Sequence, residues 1–272
     1  MIPFTKAHAC GNDFLIVTEE AARDHDWSAL TRRLCVRNTG VGADGIEFFR
    51  WTGPKSGRIR LRNADGSVAE ISGNGTRCVA AWMAQELNAQ PGDELQIETD
   101  AGPRVCRIDG VRNVGRFEVE VTTGMGVPEF AVKTVRLGDG SEIEGLQVST
   151  GNPHFAIVAD NAEFSIEGKS WSTIGAEICT HPDFPNQTNV EFFHAGSPHE
   201  IEIRIWERGV GPTSSSGTGT SATATAAIAL GLAKSPLTVV APGGAQTVVW
   251  NWSGTELFLT GPATLIARGE AY

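Results

Sequence analysis

The chain has 272 residues, of which 40% are hydrophobic, and carries a formal net charge of -10. This length and composition predict a globular protein with one large or two modest hydrophobic cores. The acidic balance and the lack of a Lys/Arg cluster argue against nucleic acid or an anionic membrane surface as a partner.

Two further features of the chain predict a cytoplasmic location. No apolar run approaches the roughly 18 residues that a membrane span needs, and the N-terminus lacks a basic-then-apolar signal pattern. The five cysteines have no framework spacing, which suits reduced thiols in a reducing compartment.

Short segments of alternating apolar and polar residues, bounded by Gly, Pro and Asp, recur along the chain and predict β-strands. In chain order they are PFTKAH, DFLIVT, GIEFFRW, RIRLRN, LQIETD, RVCRID, FEVEVTTG, HFAIVAD, VEFFHA, IEIRIWERG, LTVVAPGG, QTVVWNW and ELFLTG. Three segments predict helices: SALTRRLCVRN, which begins on Ser28 as its cap, GTRCVAAWMAQEL and GTSATATAAIALGL. Many strands with about one long helix per half predict an α+β fold of two similar domains, with a ligand site between them.

The segment that precedes each long helix has an echo elsewhere in the chain. Residues 72–76 read SGNGT and residues 216–220 read SGTGT, and each leads into an Ala-rich helical segment. A flexible Ser/Thr/Gly linker would have no reason to repeat a distant part of the chain. The two stretches therefore predict equivalent halves of an internal duplication.

Each repeated turn has the chemistry of an anion site. The first backbone amides of a helix lack internal acceptors and, with the helix dipole, attract negative charge. Glycine at Gly73, Gly75, Gly217 and Gly219 lets a ligand approach that backbone closely. Two such turns could hold one carboxylate, with Ser72 and Ser216 on opposite sides of the neighbouring carbon. The alternative is that both serines are simple N-caps, each worth about 1 kcal/mol.

No cofactor motif has its required context. GVGADG, from Gly40 to Gly45, follows a helix and precedes a strand, the reverse of a dinucleotide fingerprint. GTGTSA opens a helix, but no acidic residue follows at about 20 residues to hold a ribose. The close pairs His8–Cys10 and Cys179–His181 have no partners at zinc-site spacing. The expectation is therefore a protein without metal or organic cofactor.

Polar residues at strand ends predict a pocket for a polar ligand. Asparagines beside glycine or an apolar segment occur at Asn12, Asn63, Asn152 and Asn189. Turn formation alone would explain any one of them. Glu207 and Arg208 directly follow a strand, where a surface ion pair is the plain alternative, but Arg can also grip a carboxylate through two hydrogen bonds.

Taken together, these segments resemble the diaminopimelate epimerase family, whose members interconvert LL- and meso-diaminopimelate without a cofactor. Eight segments occur in the order in which the family has them: HACGNDF, GVGADG, NADGSVAEISGNGTRC, TGNPHFAIV, NVEFF, WERGVGPTSSSGTGTSA, APGG and LTGPA. The resemblance implies two pseudo-symmetric domains, each a curved, mostly antiparallel sheet around a central helix. It places residues 1–119 with 262–272 in the first domain and residues 120–261 in the second. It also implies a homodimer and a role in lysine biosynthesis.

The resemblance also assigns roles to individual residues. Ser72 and Ser216 stand where the family has two catalytic cysteines, which remove and deliver the α-proton from opposite faces. His154 and Glu207 match polar residues that support this pair. The matching substrate-binding positions are Asn12, Asn63, Gly73, Asn74, Asn152, Asn189, Glu207, Arg208, Gly217 and Thr218.

Serine in both catalytic positions leaves three interpretations open. A helix N-terminus brings a cysteine thiolate within reach near neutral pH, whereas a serine hydroxyl is a much weaker acid and needs another group to take its proton. His154 or Glu207 could do this, while Cys78 lies too far along its helix. The first interpretation is a diaminopimelate epimerase that is slow, adapted to serine, or changed from Cys to Ser at both positions to trap a ligand. The second is a relative that catalyses another proton shift or racemisation. The third is a non-catalytic amino-acid-binding protein.

Overall fold

A computed structural model describes all residues from 1 to 272, and the chain divides into two compact units. The first comprises Met1–Gly124 with Thr260–Tyr272, and the second comprises Met125–Leu259. The boundary expected from the sequence lay at residues 119/120 and 261/262, a few residues away on each side. Both units consist mostly of strands, with four helices in all.

The first unit holds eight strands and two helices, with the terminal strand β17 added as a ninth strand. They are β1 (Ile2–Ala9), β2 (Asn12–Thr18), α1 (Trp27–Cys35), β3 (Gly45–Gly53), β4 (Ser56–Asn63), β5 (Val68–Ala69), α2 (Gly73–Leu87), β6 (Glu94–Thr99), β7 (Gly102–Val114), β8 (Arg116–Gly124) and the greater part of β17 (Leu257–Ala271). Strand β1 pairs antiparallel with β2 and β17, β2 pairs parallel with β3, and β3 pairs antiparallel with β4. Strand β4 pairs antiparallel with β5 and parallel with β6, and β6–β7–β8 continue antiparallel.

The second unit repeats this plan element by element. It holds β9 (Glu129–Arg136), β10 (Glu142–Ser149), β11 (Pro153–Val158), α3 (Trp171–Cys179), β12 (Asn189–Ser197), β13 (Glu200–Glu207), β14 (Gly211–Thr213), α4 (Gly217–Ala229), β15 (Leu237–Ala241), β16 (Gly244–Trp250) and the first residues of β17. Strand β10 pairs antiparallel with β9 and β11, β11 pairs parallel with β12, and β12–β13–β14 are antiparallel. Strand β13 pairs parallel with β15, which pairs antiparallel with β16. The matching order of parallel and antiparallel pairs confirms the two pseudo-symmetric domains.

Each unit buries one helix that begins at a Ser-Gly-x-Gly-Thr turn. In α2 every residue from Gly73 to Ala84 is buried, and the helix packs against β1, β2, β6, β7 and β8. In α4 every residue from Gly217 to Ala227 is buried, and the helix packs against strands from β10 to β16. Because both helices are buried over most of their length, they are the central helices of their units.

Helix α4 can be buried although it is rich in hydroxyl groups, because three of its hydroxyls bond back to the helix. Ser221, Thr223 and Thr225 each donate to the carbonyl four residues earlier, at 2.7–2.9 Å. This bond satisfies the hydroxyl without a partner outside the helix. The surrounding strands supply the large apolar side chains, including Phe193 and Trp250.

The structure corrects the expected start of the first helix and adds elements that the sequence patterns did not predict. Helix α1 is capped by Asp26, whose carboxylate accepts from the Ala29 amide at 2.7 Å, and not by Ser28. Ser28 lies inside the helix and donates to the carbonyl of Gly66 at 2.8 Å. Asp is as good an N-cap as Ser, and its position two residues earlier gives the helix its first turn. Helix α3, strands β9 and β10 and the short strands β5 and β14 were also missed.

Candidate active site

Both central helices begin at a serine whose side chain caps the helix. Ser72 Oγ accepts from the Gly75 amide at 3.0 Å, and Ser216 Oγ accepts from the Gly219 amide at 3.1 Å. Both serines have extended backbone conformations, as a residue before a helix should. The capping interpretation is therefore correct in geometry. It does not exclude a chemical role, because a hydroxyl that accepts one bond keeps its own hydrogen to donate.

The glycine that each serine caps lies against a buried glutamate. A Cβ built on Gly75 would overlap Oε1 of Glu47, and a Cβ built on Gly219 would lie 2.9 Å from Oε1 of Glu191. The same built atoms would lie 3.2 Å from the Cβ of Ser72 and of Ser216, respectively. Each turn thus brings a serine side chain and a glutamate carboxyl to one face of the same glycine.

The two glutamates occupy equivalent positions in the two units. Glu47 pairs in register with Ile16 of the parallel neighbour β2, and Glu191 pairs in register with Ala156 of the parallel neighbour β11. Both side chains are fully buried. Burial raises the pKa of Glu47 to about 8, with the nearby negative charge of Asp100 adding to the effect. Burial also raises the pKa of Glu191, against the opposing effect of His154.

In the first unit, a chain of hydrogen bonds connects the predicted residues Asn12 and Asn74. Arg77, which is fully buried, donates to Asn74 Oδ1 at 2.6 Å, and Asn74 Nδ2 donates to Asn12 Oδ1 at 3.1 Å. Asn12 Nδ2 in turn donates to Asp44 at 2.6 Å. The chain of bonds fixes the orientation of both amides beside the Ser72 turn, so the GVGADG motif positions a site side chain through Asp44.

Asn63 lies at the end of β4, opposite Gly45 at the start of β3. Its side-chain amide donates to Ser67 Oγ at 3.0 Å, and its backbone closes the NADG turn with Ser67 and Gly66. Glu207 is its counterpart in the second unit, because it ends β13 as Asn63 ends β4. Both are half-buried, at corresponding strand ends.

In the second unit, Asn152 connects the Ser216 turn to the predicted residue His154. Asn152 Nδ2 donates to Thr218 Oγ1 at 3.4 Å, and Thr218 Oγ1 lies 3.3 Å from Ser216 Oγ. The other end of the amide, Asn152 Oδ1, lies 2.9 Å from His154 Nε2. His154 Nδ1 lies 2.7 Å from Glu191 Oε1, and both residues are fully buried. The structure thus places His154 beside a glutamate that was not predicted.

The His154–Glu191 bond holds a proton. With the Asn152 amide donating to Thr218, its oxygen faces Nε2, so Nε2 must carry a hydrogen and donate. Nδ1 then either accepts from a protonated glutamate or, in a charged imidazolium, donates to a carboxylate. Both arrangements place one proton between Nδ1 and Oε1, in a site that water does not reach.

Asn189 and Arg208 also lie together. Asn189 Oδ1 accepts from the Arg208 amide at 2.9 Å, and Asn189 Nδ2 donates to the carbonyl of Pro153 at 3.0 Å. The Arg208 guanidinium donates to the carbonyl of Asn186 at 3.1 Å. Asn189 is buried and Arg208 is half-buried. Their hydrogen bonds fix the position of the Arg208 guanidinium just after the end of β13.

The comparison with protein families agrees with this arrangement. A family model described as diaminopimelate epimerase matches residues 4–130 and 146–266. The chain belongs to the diaminopimelate epimerase family. It is 36% identical to the diaminopimelate epimerase of Halothermothrix orenii, over 99% of this chain and 97% of that protein.

Solved structures of lower sequence identity have the same fold as this chain. A predicted epimerase from Pseudomonas aeruginosa is 14% identical, with a TM-score of 0.74 and 99% of each chain covered. A hydroxyproline epimerase from Agrobacterium vitis, with bound trans-4-hydroxy-L-proline, is 16% identical with a TM-score of 0.69, covering 98% of this chain and 90% of that one. The diaminopimelate epimerase-like fold predicted from the sequence is confirmed.

The family motifs did not indicate Glu47 and Glu191, but the chain contains a signal for both. The strands that hold them read GIEFF and NVEFF, so the acid recurs at one position of the duplicated strand. A charged residue between large apolar neighbours, repeated in both halves, marks a buried acid in a strand covered on both faces. Cys78 is no substitute base for Ser72, because burial raises the pKa of its thiol far above the usual range.

Two absences complete the description of this chain from the diaminopimelate epimerase family. The structure contains no cluster of three or more His, Cys, Asp or Glu side chains that could hold a metal ion. None of its four helices is long and apolar enough to span a membrane.

We predict that Glu47 makes the stability of the fold pH-dependent. Its pKa is raised from 4.5 in the unfolded chain to about 8 in the fold, so the unfolded state loses a proton first as pH rises. The free energy of unfolding should fall between these two pH values, by about 1.4 kcal/mol for each unit of pKa shift at most. Relative to Glu47→Gln, the unmodified chain should lose a few kcal/mol between pH 4.5 and pH 8.5, as measured by urea denaturation.

The exposed strand residue Glu94 supplies the control for this experiment. Glu94→Gln should follow the unmodified chain at every pH, because its carboxylate is in solvent in both states. Parallel stability curves for the Glu47→Gln variant and the unmodified chain would show that Glu47 is ionised in the fold, contrary to the prediction.

Proposed function

We propose that this chain interconverts LL- and meso-diaminopimelate by moving the hydrogen of one α-carbon, in the service of lysine biosynthesis. One observation carries the proposal: each unit has a buried helix that begins at a Ser-capped, glycine-containing turn, with polar side chains bonded around it. Helix N-termini stabilise negative charge, and the carboxylate of an amino acid gains charge when its α-carbon is deprotonated. The amides of Gly73, Asn74, Gly217 and Thr218 are the proposed donors.

The proposed roles of the other residues follow from their surroundings. Ser72 and Ser216 act on opposite faces of the α-carbon, one removing a proton as the other delivers one. Asn63, Asn189 and Arg208 bind the second carboxylate of the substrate, and Glu207 with Asn12 and Asn152 binds its polar groups. His154 supports proton transfer through its bond to Glu191. The absence of a cofactor, the homodimer and the cytoplasmic location remain predictions.

The serines also favour a second candidate function. A protein that binds diaminopimelate without turning it over would keep the anion-binding turns and the distal residues but would not need thiols. Both candidates predict binding, and they differ in whether the α-hydrogen of the bound substrate exchanges with solvent.

We predict that binding depends on the distal carboxylate. In calorimetric titrations meso-diaminopimelate should bind more tightly than lysine, which has the same chain but no second carboxylate. Arg208→Ala should cost roughly 2 kcal/mol of binding free energy, as expected for a charge-assisted bond shielded from water. Arg204→Ala, in the strand that ends just before Arg208, should leave affinity unchanged, because its guanidinium stacks on Phe164. Equal affinities for the two ligands would remove the basis for this substrate.

We predict that serine limits the rate of proton transfer. The unmodified chain should bind diaminopimelate yet exchange its α-hydrogen with deuterated solvent slowly. The double variant Ser72→Cys/Ser216→Cys should exchange it much faster, because general acid–base groups contribute about 10²- to 10⁴-fold and work best with a pKa near the working pH. Each single change should help less, since both faces are needed. A double variant that binds normally and exchanges no faster would contradict the proposed roles of the serines.

A further inference from the structure

The two buried glutamates have no structural use that an apolar residue would not serve better. Neither carboxyl oxygen of Glu47 has a hydrogen-bond partner, and Oε2 of Glu191 has none. A buried polar group without a partner costs roughly 1–3 kcal/mol, so these side chains weaken the fold. Their neighbours along the strands, such as Ile46, Phe48, Val190 and Phe192, are the apolar residues expected there. Groups that are costly and duplicated call for a role in the chemistry.

Each glutamate lies near a capping serine and is closed off from bulk solvent. Glu47 and Ser72 meet at Gly75, and Glu191 and Ser216 meet at Gly219. Alanine at either glycine would press against the carboxyl, with a direct overlap at Gly75. Glycine at the fourth position of each Ser-Gly-x-Gly-Thr turn therefore makes room for an acid near the capping serine.

We infer that Glu47 and Glu191 hold the protons that Ser72 and Ser216 exchange with the α-carbon, so that the serines need not ionise. This inference rests on the proposed function. On the face where the proton is removed, the Cα–H bond breaks as a new O–H bond forms on the serine, and the original hydroxyl hydrogen passes to the glutamate carboxylate. On the other face, the serine delivers its hydrogen to Cα and takes a replacement from the protonated glutamate.

This relay balances protons and charge. One glutamate gains the proton that the other loses, and both serines end as neutral hydroxyls. The carbanion formed at Cα is protonated on the opposite face. The reverse reaction returns the proton to the glutamate that held it at the start. For this transfer each hydroxyl turns toward the carboxyl by rotation about the Cα–Cβ and Cβ–Oγ bonds of the serine. Both glutamates act through a serine and are therefore positioning residues.

The two glutamates differ in a way that suits opposite tasks. Glu191 shares a proton with His154, whereas the corresponding position beside Glu47 is Phe14, which offers no hydrogen bond. The pKa of Glu47 is therefore raised mainly by burial, to about 8, which is close to the pKa of a free thiol. The group with thiol-like acidity at the Ser72 turn is the glutamate behind the serine.

The inference is tested by making the same change in a serine and in a cysteine background. Glu47→Gln and Glu191→Gln are introduced into the unmodified chain and into Ser72→Cys/Ser216→Cys, and α-hydrogen exchange is measured with LL- and meso-diaminopimelate in deuterated solvent. In the serine background each change should slow exchange by about 10²-fold or more, one for the LL isomer and the other for the meso isomer. In the cysteine background the loss should be under about 10-fold, because a thiol is its own acid and base.

Three measurements separate this role from a structural one. Calorimetry should give dissociation constants within about threefold of the unmodified chain for every variant. The exchange rate that depends on Glu47 should rise with pH through about 8, and this rise should vanish in Glu47→Gln. Glu47→Met, which fills the same space without a titrating group, should behave as Glu47→Gln does, and the exposed-residue variant Glu94→Gln should change nothing.

Several outcomes would overturn the inference. An equal loss of exchange in both backgrounds would mean that the glutamates only support the fold. Unchanged exchange in the serine background would mean that the protons travel elsewhere. A chain that binds diaminopimelate but shows no exchange would also contradict the relay, while leaving the binding site in place. Failure to bind at all would instead refute the proposed function itself.

Discussion

The bond from a serine hydroxyl to the amide three residues later is the constraint on which this structure depends. It starts each central helix at a fixed residue and directs the first-turn amides out of the helix end. Those helices are buried along their length, so the strands of each unit are arranged around them. One hydroxyl therefore sets the start of the core helix and, at the same point, the position of the amides that we propose as donors to an anionic ligand.

The parallel strand pairs place the other polar side chains near the helix turn of their own unit. Strands β2 and β3 in the first unit, and β11 and β12 in the second, run in the same direction into the interior, so polar residues at their starts lie near one another. Asn12 and Asp44 meet in this way, as do His154 and Asn189. Two residues further along, the same register places Glu47 and Glu191 under the helix turns. The duplication has conserved this geometry while the side chains diverged, with Phe14 in one unit and His154 in the other.

The sequence predicted the elements whose signals are local, and it missed those that tertiary packing decides. The long helices were found because a Ser-Gly turn leads into an unbroken helix-forming segment. Helix α3 was missed because Gly175 interrupts its pattern, although a Cβ there would lie 2.8 Å from the Cβ of Trp206. Strand β10 was missed for a similar reason, since Gly145 lies against the carbonyl of Ala156. The family resemblance supplied residues that bind or cap, but Glu47 escaped notice because a charged residue in a strand usually faces solvent, and here both faces of the strand are covered.

The central claim is that the turn at the start of each central helix is a site for the carboxylate of an amino-acid substrate. It is tested most directly by following the backbone amide signals of Gly73, Asn74, Gly217 and Thr218 in an NMR titration with meso-diaminopimelate. The account predicts that all four signals shift and reach saturation as diaminopimelate is added, because the first-turn amides of each helix donate to a carboxylate. Signals that stay unchanged at either turn would contradict it.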